Sequence, residues 1–240
     1  MSLQLRAQHM AELLSRHTQQ PYYDRFRDAY FEGNDFDSFD ADDDFVVTNA
    51  TAGTADVIDG AGGILELDSA SSTADQGVQV QHKTETILPA DGKPIIFECR
   101  LKVTDAIAGV QLFCGLSELD TTVFASGENT SENHIGIEAN ATTQAATSGR
   151  LDFVAEKATA RASVSTVHTL VEDTYVILGF FVDGLGYATP LVNGIAGTSI
   201  ETGSDNLPVV ELAATFACLE EGGSVDPITS LDWYYVIQAR

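Results

Sequence analysis

Two short stretches place a pair of acids where a β-strand would point both the same way. Glu66-Leu67-Asp68 and Glu118-Leu119-Asp120 each carry carboxylates at i and i+2, and alternate residues of a strand share a face. Retaining glycoside hydrolysis needs two such carboxyl groups about 5–5.5 Å apart, one as nucleophile and one as acid. The full pattern used on antiparallel sandwiches is Glu-x-Asp-x-x-Glu. Its third member is missing from both stretches, where Ser71 and Val123 stand instead. Sugar clefts also stack their ligand on aromatic rings, and Trp233 is the only tryptophan. Two partial matches in a chain with 36 acidic residues are expected by chance, so the sequence predicts no enzyme.

Other chemistry finds less support. There is no Gly-x-Ser-x-Gly elbow, no Gly-rich phosphate loop and no His-Glu-x-x-His helix. His9, His17, His82, His134 and His168 are scattered, without a spacing that brings two together. Residues 32–44 alternate Glu32, Asp35, Asp37, Asp40, Asp42, Asp43 and Asp44 with Phe36 and Phe39. A calcium loop of the EF-hand type needs Gly at its sixth position and Glu at its twelfth, and neither fits. An acidic linker with aromatic pegs is the expectation, and no cofactor or metal is expected. Cys99, Cys114 and Cys218 lack metal-ligand spacing and sit in apolar runs. They read as small, reduced core residues, with a bridge between one pair left open.

The elements that would position any site are strands. The stretch TYVILGFFVDGLGYATPLVNG over residues 174–194 reads as two antiparallel strands. They join at Asp183-Gly184-Leu185-Gly186 and are followed by a tight Asn193-Gly194 turn. Tyr175, Ile177 and Phe181 would face one way, and Val176, Leu178, Phe180 and Val182 the other. Both faces are apolar, so something is expected to cover the second: the N-terminal segment or a neighbouring subunit. In 95–103, Ile95, Phe97, Cys99, Leu101 and Val103 alternate with Glu98, Arg100 and Lys102, giving one core face and one solvent face. Further strands are expected over 45–48, 63–68, 77–86, 110–116, 134–139, 151–155, 163–171, 209–218 and 232–239. Many short strands without interposed helical patterns predict an all-β antiparallel sandwich. The expected organisation is an arm and linker over 1–44 and a single β domain over 45–240.

The arm differs in kind. Residues 2–18 place Leu3, Ala7, Met10, Leu14 and His17 on one helical stripe ended by Pro21. Tyr22, Tyr23 and Phe26 follow. Residues 1–28 carry a net charge of +1 within a chain of −24. Such an acidic body disfavours nucleic acid and anionic membranes. No signal-like stretch and no apolar run of about 18 residues is present, so neither a leader nor a membrane span is expected.

The motifs Gly179-Phe180-Phe181-Val182-Asp183-Gly184, Leu191-Val192-Asn193-Gly194, Asn206-Leu207-Pro208-Val209-Val210 and Leu231-Asp232-Trp233-Tyr234-Tyr235-Val236-Ile237-Gln238 resemble those of concanavalin A-like jelly rolls. Together with 62–68 and 95–117, they resemble virion structural proteins of tailed bacteriophages, which use the jelly roll as a capsid decoration or cement module. Neither the metal ligands of legume lectins nor a complete glucanase carboxylate triad can be placed on the sequence. The resemblance implies a non-enzymatic, homo-oligomeric protein on the capsid exterior, assembled in the host cytoplasm, with the phage major capsid protein as partner. The arm residues Leu3, Met10, Leu14, Tyr22, Tyr23 and Phe26 would make the contact, each large side chain contributing roughly 1.5–3 kcal/mol when buried. The alternative is a carbohydrate-binding, host-adhesion module of lectin type, with an exposed aromatic platform at Trp233 or in the 118–133 loop. On the capsid reading, deleting residues 1–28 leaves a folded body that no longer attaches, and unchanged occupancy on purified capsids would refute it.

Overall fold

Short apolar runs broken by Gly, Asp and Asn fold as antiparallel strands across the described residues. The computed structural model describes residues 29–240 apart from 41–42, 51, 61, 71–72, 106, 108, 123, 126–127, 130–131, 141–148 and 222–225. The helix expected over 2–18 and the arm residues Leu3, Met10, Leu14, Tyr22, Tyr23 and Phe26 lie outside the described residues. In chain order the strands are β1 (Tyr30–Asn34), β2 (Phe45–Ala50), β3 (Thr54–Ile58), β4 (Ile64–Asp68), β5 (Gly77–His82), β6 (Ile95–Thr104), β7 (Val110–Ser117), β8 (Phe124–Ala125) and β9 (Glu128–Asn129). They continue as β10 (Asn133–Ala139), β11 (Arg150–Lys157), β12 (Ala160–Thr169), β13 (Val176–Val182), β14 (Tyr187–Val192), β15 (Ile195–Ala196), β16 (Ile200–Glu201), β17 (Ala213–Glu220) and β18 (Ile228–Gln238). The helical content among the described residues is one short turn, Gly203–Asn206.

Two sheets stack face to face. Sheet I runs β15-β14-β13-β6-β18-β4-β3, with β1 also paired to β18 and β16 to β14. Sheet II runs β12-β11-β10-β7-β17-β5-β2. The all-β antiparallel sandwich expected from the sequence is therefore the architecture. Alternation supplies the core: Phe97, Cys99, Leu101 and Val103 of β6 face Leu112, Cys114 and Leu116 of β7 and Phe216 of β17 in one apolar cluster. Aromatic rings form its centre. Phe180 stacks on Phe97 at 5.2 Å and meets Phe153 at 5.8 Å, while Phe216 packs edge-on to Tyr234 at 5.1 Å. All three cysteines are buried and free.

The 174–194 stretch folds as read, with β13 and β14 pairing in antiparallel register from Leu178↔Val192 to Val182↔Ala188. The Asp183 carboxylate accepts hydrogen bonds from the Leu185 and Tyr187 backbone N–H groups at 2.7 and 3.0 Å, closing the turn. Asn193 and Gly194 both adopt positive φ, at 51° and 75°, as a twist-matched two-residue hairpin turn requires. Val176, Leu178, Phe180 and Val182 enter the core. Ile177 and Phe181 lie on the outer face of sheet I against a second cluster of Ile96, Trp233, Tyr235 and Ile237, joined by Ala29.

Two five-residue strands were not expected. Tyr30–Asn34, assigned to the arm and linker, pairs along the last strand from Tyr30↔Gln238 to Asn34↔Tyr234. Thr54–Ile58 pairs with β4 at the edge of sheet I. The strand expected over 209–218 runs Ala213–Glu220 instead, leaving Val209 exposed.

Glu98 points from β6 into the apolar cluster on the outer face of sheet I, where the Tyr235 hydroxyl donates to its Oε2 at 2.5 Å. Burial pushes the Glu98 carboxyl up to about 7, a rise that the Tyr235 hydrogen bond partly offsets. The folded protein thus holds a proton that the unfolded chain gives up above its ordinary value of 4.5. Folding stability should fall as pH rises from about 4.5 through 7, by an amount on the order of 3 kcal/mol from this group. Denaturant titrations of Glu98→Gln, which keeps an acceptor for Tyr235, should lack that part of the pH dependence. An unchanged slope would contradict the assignment.

Candidate functional site

The outer face of sheet II, away from the core, carries polar side chains in rows set by strand register. One row runs Gln79–Ala217–Phe113–Glu138–Asp152 across β5, β17, β7, β10 and β11. The next runs Gln81–Thr215–Gly115–Gly136–Val154–Ser163. A third runs Ala213–Ser117–His134–Glu156–Arg161. The middle row is low where Gly115 and Gly136 meet. A Cβ on Gly115 would lie 2.4 Å from the Ile135 carbonyl oxygen, and one on Gly136 would lie 2.9 Å from the Phe113 ring. Glycine at both places lets β7, β10 and the Phe113 ring approach closely. Phe113 also meets His134 edge-on at 5.8 Å.

Charge is concentrated at the β10–β12 side. Glu138 has no solvent exposure. Arg161 donates to Glu138 through Nη2 and to Glu156 through Nη1, the latter at 3.2 Å. His134 Nε2 lies 3.9 Å from Glu156 Oε2, and Arg150 Nη2 lies 3.9 Å from Asp152 Oδ2. Burial alone would lower the pKa of Arg161, but its ion pairs and hydrogen bonds with Glu138 and Glu156 outweigh that and raise it. Asp152 accepts from the Thr166 backbone N–H at 2.6 Å. Exposure increases toward β12, where Arg161 and Ser163 are open to solvent.

The β5–β17 side is neutral and closed. Gln81 Nε2 donates to Ser117 Oγ and Thr215 Oγ1, both at 3.1 Å, and to the Glu118 carbonyl at 3.0 Å. Gln79 donates to the Asp120 carbonyl, and the Asp120 N–H donates back to Gln81 Oε1 at 3.1 Å. These bonds fold the chain leaving β7 back across β17 onto β5.

The residues singled out in the sequence fall elsewhere. Glu66 and Asp68 lie half-buried on β4 of sheet I, so they do not share the polar face. Glu118 and Asp120 leave the strand and enter the folded-back loop. There Glu118 accepts from Asn133 Nδ2 at 2.9 Å, and Asp120 accepts from the Thr122 N–H at 2.9 Å. Neither pair forms two carboxylates facing across a cleft. Trp233 also differs from the exposed platform expected of it. An irregularity in pairing between Leu231 and Trp233 turns it out of the core onto the outer face of sheet I. Its ring stacks on Tyr235 at 5.6 Å and is only 6% exposed, so it offers no open ring face for a sugar.

What sequence reading missed is a pairing across strands. His134-x-Gly136-x-Glu138 and Asp152-x-Val154-x-Glu156 each put polar residues on one face of an otherwise apolar strand, a signal visible as period-two alternation. Its members stand on neighbouring strands, so no pair of acids spaced within one strand displays it. Among the described residues no group of three His, Cys, Asp or Glu side chains is placed to hold a metal ion.

No family model and no curated protein matches the chain. Solved structures do match its fold. A glycoside hydrolase family 16 endo-glucanase from Bacteroides ovatus aligns at a TM-score of 0.60 and 9% identity, covering 85% of this chain and 99% of that one. Peanut lectin aligns at 0.59 and 12% identity, covering 88% and 97%. An endo-1,3-beta-glucanase from Streptomyces sioyaensis aligns at 0.58 and 10% identity, covering 87% and 96%. The chain therefore has the fold of a concanavalin A-like jelly roll, as its motifs implied.

Removing Arg161 should be costly, because it leaves a carboxylate buried without its counter-charge. Arg161→Met should destabilise the fold by about 3 kcal/mol in urea titration, and adding Glu138→Gln should recover most of that loss. Additive losses in the double variant would show that the two residues are not energetically coupled.

Proposed function

We propose that the protein is a carbohydrate-binding module of lectin type, with Arg161 and Glu156 at the β12 side of sheet II as the centre of its ligand site and the buried Glu138 holding the guanidinium in place. The observation that carries this reading is the guanidinium of Arg161 held between two carboxylates on one sheet face. Saccharide hydroxyls donate and accept hydrogen bonds, so a fixed array of carboxylate acceptors and guanidinium donors recognises them without rearrangement. Charged groups make the stronger of these bonds. The net charge of −24 repels anionic ligands, which favours an uncharged saccharide. The fold adds support: by their names, the similar structures include two glucanases and a lectin.

The same contacts support a reading of binding without cleavage. Hydrolysis requires one carboxyl as a proton donor beside a second as nucleophile or base. Glu138 and Glu156 instead both accept from Arg161. Capsid attachment through the arm, with the phage major capsid protein as partner, rests on the sequence motifs alone and finds no counterpart in the three structures named above.

A glycan array followed by isothermal titration calorimetry tests the reading. Binding to neutral gluco-oligosaccharides in the micromolar to millimolar range is expected, with no release of reducing ends. Glu156→Gln, which keeps an acceptor for Arg161, should weaken binding by about tenfold, the loss of one charge-assisted hydrogen bond. An array without a single neutral saccharide bound would overturn it.

A further inference from the structure

Six side chains on the outer face of sheet I are shut away from water. Ile96 and Tyr235 are 0% exposed, Glu98 2%, Leu191 4%, and Trp233 and Ile237 6% each. A sheet face packed against nothing stays solvated, so something lies over these six. Among the described residues, Ala29, Ile177 and Phe181 pack against the cluster, and Phe31 stacks on Tyr235 at 6.5 Å. Ile177, Phe181 and Phe31 belong to strands of the same sheet, so they stand beside the cluster and not above it. The burial is complete within a single chain, so the cover belongs to that chain.

Strand register gives this face its shape. Leu191, Gly179, Glu98, Tyr235 and Gly33 form one row across β14, β13, β6, β18 and β1. It is flanked by the rows Ile177–Arg100–Trp233 and Phe181–Ile96–Ile237–Phe31. A Cβ on Gly179 would lie 2.3 Å from the Phe97 carbonyl oxygen, and one on Gly33 would lie 2.8 Å from that of Tyr234. The flanking rows stand four residues apart along the strands, about 13 Å, which is room for one α-helix about 10–12 Å across. Ala29 packs into this cluster, so residues 1–28 join the body at this face. Their sequence has the matching chemistry. Leu3, Ala7, Met10 and Leu14 recur at helical spacing, and a lone amphipathic helix of that length needs a surface to dock on. Residues 1–28 also carry +1 within a chain of −24, so the acidic body attracts them.

We propose that residues 1–28 lie over the outer face of sheet I of their own chain, with Leu3, Met10 and Leu14 against Trp233, Tyr235 and Ile237. The proposal is independent of the carbohydrate site on sheet II. It makes the arm an internal cover, and it leaves the arm's apolar residues occupied and not free for a capsid or another partner. Burial pushes the Glu98 carboxyl up to about 7, as an apolar cover over it would.

Trp233 is the only tryptophan, so intrinsic fluorescence reports on this face alone. In the full-length protein its emission should be blue-shifted and little quenched by acrylamide, with no change on dilution. Met10→Asp combined with Leu14→Asp should shift the emission to the red and raise the quenching constant several-fold, while the far-UV circular dichroism of the strands is kept. Deleting residues 1–28 should do the same, and adding a synthetic peptide of residues 1–28 should reverse it. Unchanged quenching in the folded double variant would overturn the proposal. Protection that is lost on dilution would assign the cover to a second copy and would also overturn it. Ready quenching of Trp233 in the unaltered protein would overturn it without any variant, so a deletion or double variant that fails to fold does not shield the proposal.

Discussion

A carboxylate with no access to water persists in a fold only where an opposite charge and hydrogen bonds replace its hydration. Glu138 is that group here, and the geometry of sheet II around it follows from the need to hold Arg161 against it. Arg161 reaches Glu138 because β12 pairs with β11 in one register, Arg161↔Glu156. A slip of one residue would turn Arg161 to the other face. The register is fixed nearby by the irregularity between Leu151 and Phe153, and by the Asp152 carboxylate binding the Thr166 N–H where Thr166 takes a positive φ of 57°. One acid, Asp152, thus helps to set the strand that supplies the partner of another.

The two sheets treat a buried acid in different ways. On sheet II, Glu138 is paired with a guanidinium and belongs to a polar array. On sheet I, Glu98 lies among Ile96, Trp233 and Ile237 and accepts from the Tyr235 hydroxyl, and burial lifts it to about 7. The first arrangement fixes the partly exposed Arg161 guanidinium in place. The second makes a neutral, apolar surface whose cost appears only as pH rises. Charge pairing, more than composition, separates the face suited to binding from the face suited to packing.

Much of the fold was legible. The β13–β14 hairpin followed from Asp183-Gly184 and Asn193-Gly194, and β6 from strict alternation over 95–103. Local signals of turn and period sufficed there, because the partner strand is adjacent or the core face is unambiguous. Tyr30–Asn34 was not legible: its strand pairing is with residues 234–238, two hundred residues away, and its own sequence reads as acidic and aromatic. The site was hidden for a related reason. Glu138, Asp152, Glu156 and Arg161 come together only through cross-strand register, which no spacing within one strand encodes. Trp233 misled because its ring, although turned to the outer face, is covered by stacking on Tyr235 within the cluster of Ile96 and Ile237, which its own neighbours in sequence do not announce.

Similarity at 9–12% identity establishes a jelly roll, and function then rests on particular side chains. The central claim is that a neutral saccharide binds on the outer face of sheet II at its β10–β12 side. Backbone amide shifts recorded by NMR during titration with a gluco-oligosaccharide test it most directly. The account predicts saturable shifts centred on Gly136, Val154, Glu156 and Arg161, with Trp233 and Ile177 unmoved. Saturable shifts centred on the outer face of sheet I would contradict it.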